Sequence, residues 1–359
     1  MSHIGAIVAG TGASGDDVDG AYGVFAQSSG GTSGGNVTVS TDGEVKTFGS
    51  NSHALFAQSS GKSAIGNVVV SHTKGDLLTT GARSHAVFAE ASAIAENSGL
   101  STAGKTVRID LLAPDEGASA RTTGAQSHIA YAVSKAGDGT GAGGAGGAAG
   151  DVTVNSEYDL ATLGEGSRPI LAESLGGNGQ AGSNAVLGGQ DGFKGGNAGA
   201  SGKVTVSTSG SIETSGTGST AVEARSIAGT AGKGGMGLGG GANGADGDGG
   251  TSGDVSIVSL GQVLTLGDEA HGLVAESSSP SGAAGTVGIS ASGSVLVRGL
   301  NADAIFAHNA GANGQGNITV EFDGDFLVGG TGNDTLDGQN GEDTLFARAG
   351  KDRKHTSEL

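Results

Sequence analysis

The chain of 359 residues has no cysteine, no tryptophan, three prolines and only 3% aromatic side chains. Without cysteine, neither a disulfide framework nor a thiolate metal site can form. With three tyrosines as its polar aromatics, it has little to stack on a sugar ring. Basic residues are also scarce, 18 against 36 acidic ones, for a formal net charge of −18. That balance argues against nucleic-acid binding, which rests on Lys and Arg neutralising phosphates, and it opposes approach to anionic membranes. It favours solubility and binding of divalent cations. No segment approaches 18 consecutive apolar residues, so no transmembrane helix is expected. The first residues, MSHIGAIVAGTGASGDDVDG, lack a basic stretch and carry too short an apolar run for a signal peptide. The expectation is a fragment, or export by a different signal.

Glycine, by contrast, is abundant, with 75 residues, and hydrophobic residues make up 35%. That apolar fraction is low for one spherical core of this size. A glycine-rich composition fits either a disordered chain or a repeat array, and periodicity separates the two.

The periodicity is strong. A short strand, A, reads AYGVFAQS from Ala21, HALFAQS from His53, HAVFAEA from His85 and HIAYAVS from His128. It continues as RPILAES from Arg168, TAVEARS from Thr220, HGLVAES from His271 and DAIFAHN from Asp303. One alanine recurs in all of them: Ala26, Ala57, Ala89, Ala132, Ala172, Ala224, Ala275 and Ala307. Strand B follows each time, from VTVS at Val37 to ITVE at Ile318. Strand C follows B, from GEVKTFG at Gly43 to GDFLVGG at Gly324. Each strand alternates with period two, the pattern of a half-buried β-strand. In strand C, Val45, Leu77, Leu160, Ile212, Val263, Val295 and Phe326 share one inward position. Two residues on stand Thr47, Thr79, Thr122, Thr162, Thr214 and Thr265, isosteric with valine and suited to a pleated ladder.

The C-to-A corner always has four residues, such as Gly49-Ser50-Asn51-Ser52, and the B-to-C interval is nearly constant. Only the A-to-B connection varies widely, from Ala26–Val37 to Ala172–Val204. Three strands, two fixed corners and one tolerant corner predict an all-β fold, a right-handed parallel β-helix (β-solenoid) with three short strands per turn. Eight turns at the strand spacing of about 4.8 Å make a rod about 40 Å long. The expected divisions are an N-terminal partial repeat or cap (1–20), the β-helix of eight repeats (21–328), a β-roll (329–355) and a tail (356–359).

The tolerant corner carries the glycine-rich stretches 137–150, 175–202 and 227–253. These read either as flexible surface loops or as polyproline-II-like segments packed together, where lack of a side chain permits close approach. The second reading makes the fringe an assembly surface. His53, His85 and His128 share one ladder position. They form either a polar ladder that caps backbone groups or a metal-binding or pH-sensing column. The outward column of strand C, Glu44, Asp76, Ser119, Asp159, Ser211, Gln262, Ser294 and Asp325, dilutes its acids with neutral residues. Neither a G-x-S-x-G elbow nor an H-E-x-x-H motif occurs. No catalytic residue is therefore named. A secreted polysaccharide-acting β-helix enzyme and a self-assembling matrix filament remain the alternatives to a structural or adhesive protein.

The sequence VTV, then G-x-I-x-T-x-G, then S-x-A-x-x-A-Q-S-x-G-G with a glycine-rich insert resembles the passenger repeats of bacterial autotransporter adhesins over residues 21–328. The resemblance implies a β-helix at the bacterial cell surface or released from it, with cell-surface or extracellular-matrix components, or further copies of itself, as partners. The family's outer-membrane barrel, a long series of amphipathic strands, has no counterpart here. Residues 329–355 read GGTGNDTLD, GQNGEDTLF and ARAGKDRKH. The first is similar to the RTX, or hemolysin-type, nonapeptide G-G-x-G-x-D-x-U-x, which implies a calcium-binding β-roll. Glycines let the backbone turn its carbonyls inward, and aspartate offers carboxylate oxygen to a hard cation. The loops recur every two nonapeptides, so Gly329, Gly330, Gly332 and Asp334 are expected to face Gly350 and Asp352 across one Ca2+. Asp343 belongs to the middle copy. Ala347, Arg348 and Lys351 erode the third copy, so one weak site is expected. RTX proteins leave cells by type I secretion with an uncleaved C-terminal signal, which implies an extracellular location.

Overall fold

The computed structural model of the protein describes residues 2–10, 17–62, 64–93, 103–113, 117–322, 326–328, 334–340, 344–346 and 353–357. Every regular element among them is a β-strand, and every named strand pair is parallel. The chain is a parallel β-solenoid of three sheets. The A sheet has eight strands, from Val24–Ser29 through Leu55–Gly61 and Ala130–Lys135 to Ile305–Gly311. The C sheet also has eight, opening with Ile7–Ala9 and closing with Val295–Val297. The B sheet has eleven, opening with Ser2–Ile4 and including Asp334–Asn340 and Arg353–Ser357. Register is unbroken between the turns of the rod and shifts once, between Asp337 and Asn340 where Asp334–Asn340 pairs with Arg353–Ser357. Ala26 stands on Ala57, Ala57 on Ala89 and Ala132 on Ala172, while Val68 pairs with Val107 and Val152 with Val204.

The core is a narrow channel lined by inward residues of all three sheets, such as Leu55, Ala57, Val68, Val70 and Leu77, all at most 1% exposed. Among the residues whose burial is described no phenylalanine is in the core, and the alanine column marks where the channel has no room for more. A single turn cannot enclose such a core, so burial comes from the turns above and below.

The corners are built from polar groups that bond between turns. At the C-to-A corner the third of the four residues is left-handed in seven turns. Asn51, Arg83, Gln126, Glu269 and Asn301 have φ of 54–56°, and Gly166 and Gly218 have 62° and 66°. For a residue with a side chain this conformation is uncommon, and here it is held from both sides. The preceding glycines stack on one another: a Cβ on Gly124 would lie 1.7 Å from the Gly81 carbonyl oxygen. The following serines form a buried relay. Ser52 N donates to Ser84 Oγ (3.0 Å), Ser84 N to Ser127 Oγ (3.0 Å) and Ser127 N to Ser167 Oγ (2.9 Å). Each hydroxyl in turn donates to a glycine carbonyl one turn back, Ser84 to Gly49, Ser127 to Gly81 and Ser167 to Gly124.

The strand C threonines are more than valine isosteres. All six are buried. Thr47, Thr79 and Thr122 donate Oγ1 hydrogen bonds of 2.7–3.0 Å to the carbonyls of Ser52, Ser84 and Ser127, five residues on. Each therefore clasps the corner that follows it. Thr214 Oγ1, in the same column, has no partner. A second serine column closes the tolerant corner. Ser174 Oγ accepts from Gly202 N and donates to Gly150 O, and Ser226 Oγ repeats this with Gly253 and Gly202. The chain therefore re-enters strand B at a fixed point however long the excursion before it.

Ser127→Ala should destabilise the rod by about 1–3 kcal/mol, because it strips a buried N–H at Ser84 and a carbonyl at Gly81 of their partners. Guanidinium denaturation measures it. A loss under about 0.5 kcal/mol, typical of an exposed surface substitution, would contradict the relay.

Candidate functional site

Of the predicted calcium ligands, Gly329, Gly330, Gly332, Asp343, Gly350 and Asp352 lie outside the described residues, and Asp334 opens the strand Asp334–Asn340. The backbone register around them is informative. Asp334 pairs with Ile318, so this strand continues the B sheet of the rod. Thr335, Leu336 and Asp337 pair with Arg353, Lys354 and His355, eighteen residues on. Phe326 and Thr344 show the same offset in a separate two-stranded sheet. Eighteen residues are two nonapeptides, so equivalent points of alternate copies sit one strand spacing apart, as a roll requires. The donor set of aspartates and freely turning glycines suits a hard, oxygen-seeking cation. Calcium, once bound, supplies positive charge that draws carboxylates and carbonyls from alternate copies together. Among the described residues no group of three or more His, Cys, Asp or Glu is placed to hold a metal ion.

The histidine column is a hydrogen-bonded ladder. His53 and His85 stack at 4.9 Å, as do His85 and His128. The Nδ1 atom of each accepts the backbone N–H one turn on: His85 N to His53 (3.1 Å), His128 N to His85 (2.9 Å) and Arg168 N to His128 (2.9 Å). That use of Nδ1 requires the neutral ring with its proton on Nε2. Burial pushes the His53 ring down to about 4 and the His128 ring, beside Arg168, down to about 3. His85, between two other imidazoles, is pushed by burial down to about 2. The capping reading of this column is the one the geometry supports.

Beside it, the outer face of the A sheet carries residues that the sequence reading passed over. Phe25, Phe56 and Phe88 stack nearly parallel at 4.9 and 5.1 Å, and Tyr131 meets Phe88 edge-on at 5.3 Å. Their faces cover one another, so what meets solvent is ring edge and not a sugar-stacking platform. Further along, Arg225 bridges Glu276 (2.9 Å) and Glu173 (3.6 Å), and Arg168 pairs with Glu223. On strand C the outward acid Glu44 has a basic partner of its own, Lys46 (2.6 Å). A depression of about 350 Å³ beside the A-sheet arginines is lined by Arg168, Thr220, Glu223, His271, Asp303 and Phe306. The signal was present in the two residues flanking each column alanine, which alternation sends outward.

The glycine-rich connections form an ordered fin. Outgoing arms pair between turns, as Gly139 N with Asn178 O and Gly179 N with Thr230 O. Return arms do likewise, as Gly146 N with Asn197 O and Gly195 N with Ala245 O. The two layers are also joined, Gly177 N to Gly147 O, Gly199 N to Gly177 O and Gly229 N to Gly199 O. Glycine recurs every third residue in these arms (Gly196, Gly199, Gly202; Gly229, Gly232, Gly235), the period of a polyproline-II helix. Amides that find no carbonyl meet Asx side chains: Thr230 N bonds Asn178 Oδ1, Met236 N bonds Asn184 Oδ1 and Asp248 N bonds Asn197 Oδ1. A Cβ on Gly199 would lie 1.8 Å from the Gly147 carbonyl oxygen. Of the two readings of this corner, the packed one describes the structure.

Gly199→Ala should therefore separate the fin layers, at a cost of about 1–3 kcal/mol for overpacking, and speed amide exchange across 175–202 while the strands stay protected. Unchanged exchange would refute the layer. The histidine ladder makes a pH prediction. The rings ionise near 6.5 when unfolded and far lower when folded. Their contribution is thus complete above pH 6.5 and is lost as pH falls toward 4 and below. Each proton taken up only by the unfolded chain costs about 1.4 kcal/mol per pH unit. His85→Asn, which retains an acceptor, should flatten the stability profile between pH 6 and 4; an unaltered slope would count against the ladder.

Residues 322–353 match the family described as RTX calcium-binding nonapeptide repeat, four copies. Calcium is accordingly the cation of this segment. Searches of curated proteins and of solved structures return no match to the chain.

Proposed function

We propose that the protein is an extracellular structural or adhesive β-solenoid whose RTX repeats bind calcium and continue the rod. The observation that carries this is the B sheet itself, which runs without interruption from the rod strand Ile318–Phe322 into Asp334–Asn340 and Arg353–Ser357. Calcium bound there orders the end of the same body that displays the A face and the fin. Gly329, Gly330, Gly332 and Asp334 against Gly350 and Asp352 are the proposed ligands, with Asp343 in the intervening copy. The acidic surface and the likeness to adhesin passenger repeats support a place on or outside a bacterial cell. The RTX segment supports release by type I secretion, and the stacked, self-satisfied corners support a mechanical rather than a catalytic role.

Calorimetric titration should show calcium binding with a dissociation constant on the order of 10⁻⁴–10⁻³ M, the range of extracellular modules. The positive charges of Arg348 and Lys351 in the third copy place it at the weak end. Binding should be lost in Asp334→Ala, and chelation should lower the unfolding temperature of the parent but not of that variant. An isotherm unchanged by the substitution would overturn the ligand assignment.

A further inference from the structure

The fin ends in an apolar tip. Val186 is 80% exposed, Leu187 63%, Phe193 62%, Met236 62% and Leu238 48%. They come from two different connections and meet because the backbone is tied there. Ala185 N donates to Met236 O, Gly189 N to Leu238 O, Leu238 N to Gln190 O and Gly235 N to Phe193 O. Large side chains are rare in this chain, which has two methionines and nine phenylalanines. Five of them held together at the far end of a rigid projection form a surface that water does not favour.

We propose that this tip inserts shallowly into the apolar boundary of a zwitterionic lipid bilayer. Three observations select that occupant. First, the tip is almost uncharged. Residues 183–193 and 234–245 contain one ionisable group, Asp191, although the whole chain carries −18. Just behind the tip Lys194 pairs with Asp248 (2.9 Å) and Lys233 with Asp246 (2.7 Å). Second, the amides of Ala185, Gly189, Gly235 and Leu238 have partners within the fin. Backbone polar groups can enter hydrocarbon only if satisfied internally, so the side chains of the tip enter while the backbone at Val186 and Leu187 stays at the headgroups. Asp191, whose carboxylate accepts Ala242 N (2.7 Å), stays at headgroup level and limits the depth. Third, the tip is too small for a stable contact with a second copy. Such an interface needs about 800 Å² and 20–30 residues per partner, whereas a bilayer accepts a few apolar side chains on a polar body. The acidity of the rod makes neutral lipid the better host than anionic lipid.

The test uses the full chain in calcium-free buffer with vesicles of phosphatidylcholine, alone or mixed with anionic phosphatidylglycerol. The chain should sediment with the neutral vesicles and less well as anionic lipid is added. The variant V186S/L187S/M236S/L238S should bind at least tenfold more weakly. Because the chain has no tryptophan, Leu187→Trp gives a single reporter whose emission should shift to the blue on adding vesicles. Equal vesicle binding by the serine variant, or no shift from the tryptophan, would overturn the proposal. A dimer abolished by the same four substitutions, without vesicle binding, would assign the tip to a second copy and overturn it too.

Discussion

A turn of this rod is too thin to satisfy its own corners, so the serines and histidines that leave its strands find partners in the turn above or below. Parallel pairing in unbroken register places the same position of successive repeats one strand spacing apart. A side chain that can both donate and accept then serves as a link. Serine does so at two corners: Ser127 receives Ser84 N and gives to Gly81 O, while Ser174 receives Gly202 N and gives to Gly150 O. Histidine does so with one atom, taking the next amide on Nδ1 and stacking its ring on the next ring. An orphaned buried amide costs more than a hydrogen bond returns, so these columns protect register against slippage as well as adding stability.

The fin obeys the same constraint with a different period. Its arms are not strands. A glycine at every third residue lets six arms approach until the amides of one reach the carbonyls of another, and Asx side chains take the amides that are left over. Long connections of this length are ordinarily the most mobile part of a solenoid. Here many backbone amides bond a neighbouring arm, so the connection becomes an ordered extension whose tip can present apolar side chains.

Three surfaces therefore divide the work of one acidic body. The A face holds a self-stacked aromatic and imidazole ladder that gives way to paired acids and arginines. The fin offers a neutral apolar end. The RTX repeats, added to the B sheet with Thr335–Asp337 pairing eighteen residues on, are the calcium-binding segment. Net negative charge favours solubility and draws divalent cations, and the tip of the fin carries almost none of it.

By itself the sequence determined the period, the three strands, the alanine and threonine columns, the tolerant corner and the RTX signature. All of these are local patterns: alternation decides which residues face inward, and repetition at constant spacing decides what stacks on what. The histidine column was legible as a position but not as a role, since only the bonds from His85 N to His53 and His128 N to His85 show that Nδ1 is spent. The order of the fin was not legible, because a glycine run is compatible with free rotation and with close packing alike, and only the neighbouring arm decides between them. The tip was hidden for the same reason. Val186 and Leu187 stand about fifty positions from Met236 and Leu238 in the chain, and hydrogen bonds between different turns, which no single repeat contains, bring them together.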